Sequence, residues 1–247
     1  MLTRPSWIEF DEQARHQVRY AWDDSRVFLD FRGDAGPVLE ATPGMSLRAR
    51  MGLCVGLYEW IIWRFEGMHT RPEPMEILQA TWCATIDPRY LRYFELTRPE
   101  WLGPVEGPLW CAATWLQPAM WQGHLFPGKL RDALSFLTLL ALHVVPDTGQ
   151  FTAWLESTLA RLAQFYPDRP EDPFADLFDN QLADRLGPLI GRDALDPSRP
   201  PDPVVTRQFL TDALAEARVT GNLFLADESD LADAGFVGQP YVLPDGV

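Results

Sequence analysis

Apolar positions along the chain recur mostly at helical spacing, and proline and glycine cut the pattern into segments of helical length. From Trp7 to about Phe31, the residues Ile8, Phe10, Ala14, Val18, Ala21, Trp22, Phe28, Leu29 and Phe31 fall mainly three or four apart. This spacing predicts an amphipathic helix with Ser6 as N-cap and Gly33 as stop, although Arg26 to Phe31 reads equally as a strand. A turn-rich stretch follows from Gly33 to Gly44.

Between Met45 and Glu66, apolar side chains cover nearly the whole helical circumference: Leu53, Val55, Leu57, Tyr58, Trp60, Ile61, Ile62, Trp63 and Phe65. A helix apolar all round is buried all round, so this segment is the expected centre of the fold. Further helices are predicted at about 74–86, 88–96, 108–122, 128–145, 150–166, 173–186 and 203–218. Pro74, Pro88, Pro108, Pro127, Pro173 and Pro203 stand near their first turns, where a missing N–H is harmless.

The pattern predicts an all-α fold: a single globular multi-helix array, an irregular bundle or solenoid-like, around a buried central helix, with an extended acidic C-terminal tail. All ten tryptophans lie between Trp7 and Trp154, which places the aromatic core in residues 1–195. Residues Asp193 to Pro203 read as an exposed polyproline-like linker, and Gly221 to Val247 as the tail. Residues 196–247, linker, helix and tail together, are few for an independent core and are expected to pack on the same domain.

Hydrophobic residues make up 47% and charged residues 23%, enough apolar surface to offset the entropy of ordering. The net charge of −14 repels phosphate backbones and anionic lipid, so neither nucleic acid nor membrane is an expected partner. A protein that is basic, or built to hold an anion, would be attracted. The excess is uneven: residues 168–247 hold 16 Asp and Glu against 6 Arg. A single lysine, Lys129, beside 20 arginines points to a GC-rich, bacterial coding sequence.

Cys54, Cys83 and Cys111 are widely spaced among apolar neighbours and read as reduced core residues rather than a disulfide framework or zinc site. The N-terminus lacks the apolar run of a signal peptide, and Leu139 to Val145 is far too short to span a bilayer. A cytoplasmic location is expected.

Nucleophile-elbow, phosphate-loop and dinucleotide motifs are missing, and no catalytic residue, metal or cofactor is assigned. Glu66 and His69 have a metal-ligand spacing, but only one copy is present and it contains Gly67. Glu9, Glu12 and His16 would form a row on the first helix; His124 falls in a loop and His143 on an apolar helix. Glu59 sits mid-way along the central helix, where a carboxylate needs a partner, Arg64 or an arginine from another helix.

The tail combines Asp227, Glu228, Asp230 and Asp233 with Phe236 and Tyr241, acids set beside apolar anchors, and these six are the expected partner-binding residues. The function expected from this set is an acidic protein-binding inhibitor, a bacterial immunity protein or antitoxin that neutralises a toxin or effector. The alternatives are an all-helical enzyme with a carboxylate and histidine site, or a helical adaptor or chaperone.

Overall fold

The Ser46 hydroxyl oxygen accepts the Ala49 N–H at 3.3 Å and so starts the helix on which the rest is built. In the computed structural model, which describes residues 2–11, 14, 16–27, 29, 31, 33–168 and 186–243, the chain is helical throughout its core. The α-helices that lie wholly among the described residues are α1 (Gly36–Ala41), α2 (Leu47–Arg64), α3 (Glu73–Ile86), α4 (Gly103–Gln122), α5 (Pro127–Val144), α6 (Thr148–Phe165), α7 (Pro203–Thr220) and α8 (Glu228–Asp233). No β-strand occurs among these residues, only two isolated bridges. The predicted helix at 173–186 falls outside the described residues, apart from its last residue.

The all-helical array around a buried central helix is the fold observed. Every residue of α2 except Leu47 and Arg50 is buried, because α3, α4 and α5 wrap it and the turn at 192–195 lies on its remaining side. Glycine makes that last contact possible. A β-carbon at Gly52 would sit 2.7 Å from Ile190 Cδ1, and one at Gly56 would sit 2.8 Å from Leu195 Cδ1.

Two buried arginines hold the helix ends together. Arg48 Nε and Nη2 donate to the carbonyls of Thr85 and Ile86, each at 3.0 Å, where α3 has no further N–H to offer. Arg64 Nε does the same at the end of α5, donating to the Val144 carbonyl at 2.9 Å. A cation at a helix C-terminus also answers the dipole there.

One continuous helix over 7–31 is not formed. Of the described residues in this span only Ala14 is helical, and the others lie in turns and irregular chain that bury apolar side chains one at a time: Ile8 in the core, Phe10 against Trp60 and Tyr20 against Phe65. Local side-chain bonds punctuate the segment: Asp11 accepts the Ala14 N–H at 2.8 Å, as an N-cap does, and Asp23 accepts the Ser25 N–H at 2.8 Å in a turn. The segment also repairs α4. Pro108 has no N–H for the Pro104 carbonyl, and Tyr20 donates its hydroxyl to that carbonyl instead. Asp24 Oδ2 accepts the Gly103 N–H at 2.8 Å, at the first turn of α4.

Residues 88–96 also depart from the expected helix. A single 3-10 turn at Pro88–Tyr90 gives way to extended chain, whose Arg92 N–H donates to Phe224 O at 2.9 Å while Ala226 N–H donates to Tyr90 O at 2.9 Å. Long-range pairing with the tail wins over local helical propensity. The turn-rich stretch 33–44 carries the short helix α1.

The expected linker is only partly exposed. Asp193, Ala194, Leu195 and Asp196 are buried, and the exposed chain begins at Pro197. Asp193 Oδ1 accepts the Thr206 hydroxyl and Oδ2 the Asp202 N–H, both at 2.8 Å, which fixes the start of α7 against this turn. Helix α7 packs on α3.

Candidate functional site

Glu59 is fully buried and its carboxylate accepts four hydrogen bonds. Trp63 Nε1 donates at 3.2 Å, Trp82 Nε1 at 2.8 Å, and Arg192 Nε and Nη2 at 2.9 and 2.8 Å. Arg192 Nη1 donates on to the Thr3 carbonyl at 2.7 Å. The partner is therefore Arg192, 133 residues away, and not Arg64, which is spent at the end of α5. Burial pushes the Glu59 carboxyl up, and Arg192 with the two indoles opposes that push. With its oxygens filled by four donors, this carboxylate ties α2, α3, the 192–195 turn and the N-terminal segment into one knot.

Glu66 and His69 do not converge. Glu66 pairs with Arg4 at 3.3 Å, and His69 Nδ1 accepts the Arg71 N–H at 3.2 Å. Burial holds the His69 imidazole below its usual range, although Glu106 opposes it. Glu9 and His16 are exposed and lie outside any helix, and Glu12 lies outside the described residues. His143 Nε2 lies 2.8 Å from Ala21 O, with the rings of Tyr20, Trp22 and Phe31 around it. Cys54, Cys83 and Cys111 are buried free thiols; burial pushes Cys54 up, and Cys83 and Cys111 up to about 12. Among the described residues no group of three or more His, Cys, Asp or Glu side chains is placed to hold a metal ion.

The acidic tail is anchored to the body. Asn222 Nδ2 donates to the Glu76 carbonyl at 2.8 Å and to Gln79 Oε1 at 2.9 Å, and Phe224 meets Phe94 edge-on at 4.8 Å. Asp227 and Asp230 cap α8 reciprocally, each side chain accepting the other's backbone N–H. Arg92 reaches both carboxylates, Asp230 at 3.2 Å and Asp227 at 3.8 Å. Tyr241 stacks on Tyr90 at 4.6 Å and gives its hydroxyl to the Ala226 carbonyl at 2.5 Å. Phe236 lies 5.4 Å from the Tyr90 ring and beneath the Arg89 guanidinium at 4.9 Å.

The six tail residues expected at a partner interface are thus brought to one end of α3, in two roles. Asp227, Glu228 and Asp233 face solvent with Asp230 half-buried beside them, while Phe236 and Tyr241 are packed on Tyr90. Tyr90 and Arg92, which seat this tail, carry no local signal in the sequence, because their partners lie more than 130 residues further on. No helix among the described residues is long and apolar enough to cross a membrane. No protein-family model matches the chain, and comparison with curated proteins and with solved structures also returns no match.

Proposed function

We propose that the chain is an acidic protein-binding inhibitor, an immunity protein or antitoxin of bacterial type that captures a basic toxin or effector in the cytoplasm. The observation that carries this reading is the α8 end of the molecule: exposed carboxylates at Asp227, Glu228 and Asp233 on a tail already clamped by the Tyr90 and Tyr241 stack. A surface held in its binding geometry loses less freedom on association. The net charge of −14 adds long-range attraction for a basic partner and speeds encounter.

Glu228 and Asp233 are the charges to reverse, because the α8 cap rests on Asp227 and Asp230 instead. The partner is recovered with the tagged chain, its own activity is assayed free and bound, and association is followed by stopped flow at several salt concentrations. The Glu228→Arg, Asp233→Arg double variant is expected to associate about tenfold more slowly at low salt and with a flatter salt dependence. Unchanged association, or a partner whose activity is the same free and bound, refutes the inhibitor reading.

A further inference from the structure

Without any α8 residue, the N-terminal segment, α6 and the chain after Leu195 enclose an open cleft of about 530 Å³. That volume is in the range of sites that take a small ligand or a single large side chain. Two tryptophans contribute to its wall, Trp7 and Trp154, and no arginine, lysine or histidine lines it. Trp154 is held rigidly, its N–H donating to the Leu195 carbonyl at 2.9 Å and its ring lying 5.6 Å from Trp60. Trp7 is half-buried, and its indole N–H is buried without an acceptor. A rotation that offers this N–H to a backbone carbonyl of a bound segment costs it no existing bond, whereas a guanidinium, which has no acceptor, can meet Trp7 only through the ring face.

Two carboxylates line the same cleft. Asp196 is answered internally, by the Ser198 N–H and hydroxyl at 2.9 and 2.6 Å and by Arg199 at 3.1 Å. Glu9 is exposed and makes no ion pair among the described residues, so its charge is the one left for a ligand. Indole rings beside an uncompensated carboxylate favour a planar cation, since a guanidinium stacks on aromatic faces and takes a carboxylate in a fork of two hydrogen bonds.

We propose that this cleft receives an arginine side chain of the basic partner, stacked on the half-buried Trp7 over a floor that the buried Trp154 closes, and paired with Glu9. The proposal rests on the reading of the chain as a binder of a basic protein, and adds a second contact that shares no residue with the α8 surface. The open side of the cleft leaves room for the partner's backbone to stay outside.

The direct probe is N-acetyl-arginine methylamide, titrated into the 247-residue chain while the assigned indole N–H resonances are followed by NMR. Saturable movement of the Trp7 or Trp154 resonance is expected. The uncharged citrulline analogue should bind at least tenfold more weakly, and the response should be lost in Glu9→Gln and Ala153→Trp. Ala153 is exposed on α6 and lines the cleft, so the larger ring fills the site without entering the core.

No movement at either indole, or an equal response to citrulline, overturns the proposal. Capture of the inhibited partner at unchanged affinity by the Ala153→Trp variant also overturns it and leaves the inhibitor reading standing. Selective arginine binding beside a partner whose activity is untouched by the chain supports the cleft as a guanidinium site and removes the inhibitor reading alone.

Discussion

Replacing Arg192 with alanine strips two of the four donors from the fully buried Glu59 carboxylate and leaves it to Trp63 and Trp82. Breaking a buried ion pair from one side costs about 3 to 5 kcal/mol, because the remaining charge keeps its desolvation penalty and loses its compensation. With an unfolding entropy of about 0.5 kcal/mol/K for a chain of this length, Tm should fall by about 6 to 10 °C. Glu59→Gln separates this account from simple loss of packing. In the native protein the amide brings donors toward Arg192 and destabilises; in the Arg192→Ala background it removes an uncompensated charge and stabilises.

The pH dependence follows from the same carboxyl. Burial raises the Glu59 carboxyl in the folded state and Arg192 is the largest influence lowering it, so the alanine variant raises it further. A folded-state value above the unfolded one means that the native state holds an extra proton between the two, and stability there falls as pH rises. The deficit of Arg192→Ala should therefore be larger at pH 8 than at pH 5. Denaturant titrations of the native, single and double variants at both values measure this. A deficit below about 1 kcal/mol, or Glu59→Gln destabilising equally in both backgrounds, refutes the buried-pair account.

Tyr241→Ala removes the stack on Tyr90 and the bond to the Ala226 carbonyl, and should cost about 2 kcal/mol and lower hydrogen-exchange protection across Ala226 and α8. Equal protection in the variant would show that the tail is seated by other contacts. The thiols of Cys54, Cys83 and Cys111 are buried and pushed well above their usual range, so a thiol reagent should modify them only as the protein unfolds. Rapid stoichiometric labelling in native buffer would refute their burial.

Helices whose signal is local were legible in the chain. The predicted segments at 45–66, 74–86, 108–122, 128–145, 150–166 and 203–218 each overlap an observed helix, because apolar spacing, joined at α3, α4, α5 and α7 by a first-turn proline, acts within the segment itself. α4 began earlier than predicted, at Gly103, since the carbonyl that Pro108 leaves free is satisfied by Tyr20 from elsewhere. The central position of α2 was legible for the same reason: a helix with no polar face has nowhere to be but inside.

Residues 7–31 and 88–96 carry apolar spacing as good as that of true helices, yet the described residues of the first, Ala14 apart, are spread over the helical body and the second is paired with 224–226. In both, burial against distant partners and hydrogen bonds to them outweigh a helical preference worth only tenths of a kcal/mol per residue, roughly. The acidic tail and its aromatic neighbours were visible as composition, but not that Tyr90 and Arg92 would seat them. Glu59 announced by its position that it needed a cation. The sequence by itself determined an all-helical fold and a buried carboxylate at its centre; tertiary structure alone decided that Arg192 answers it, because that choice depends on which chain the glycine face of α2 admits.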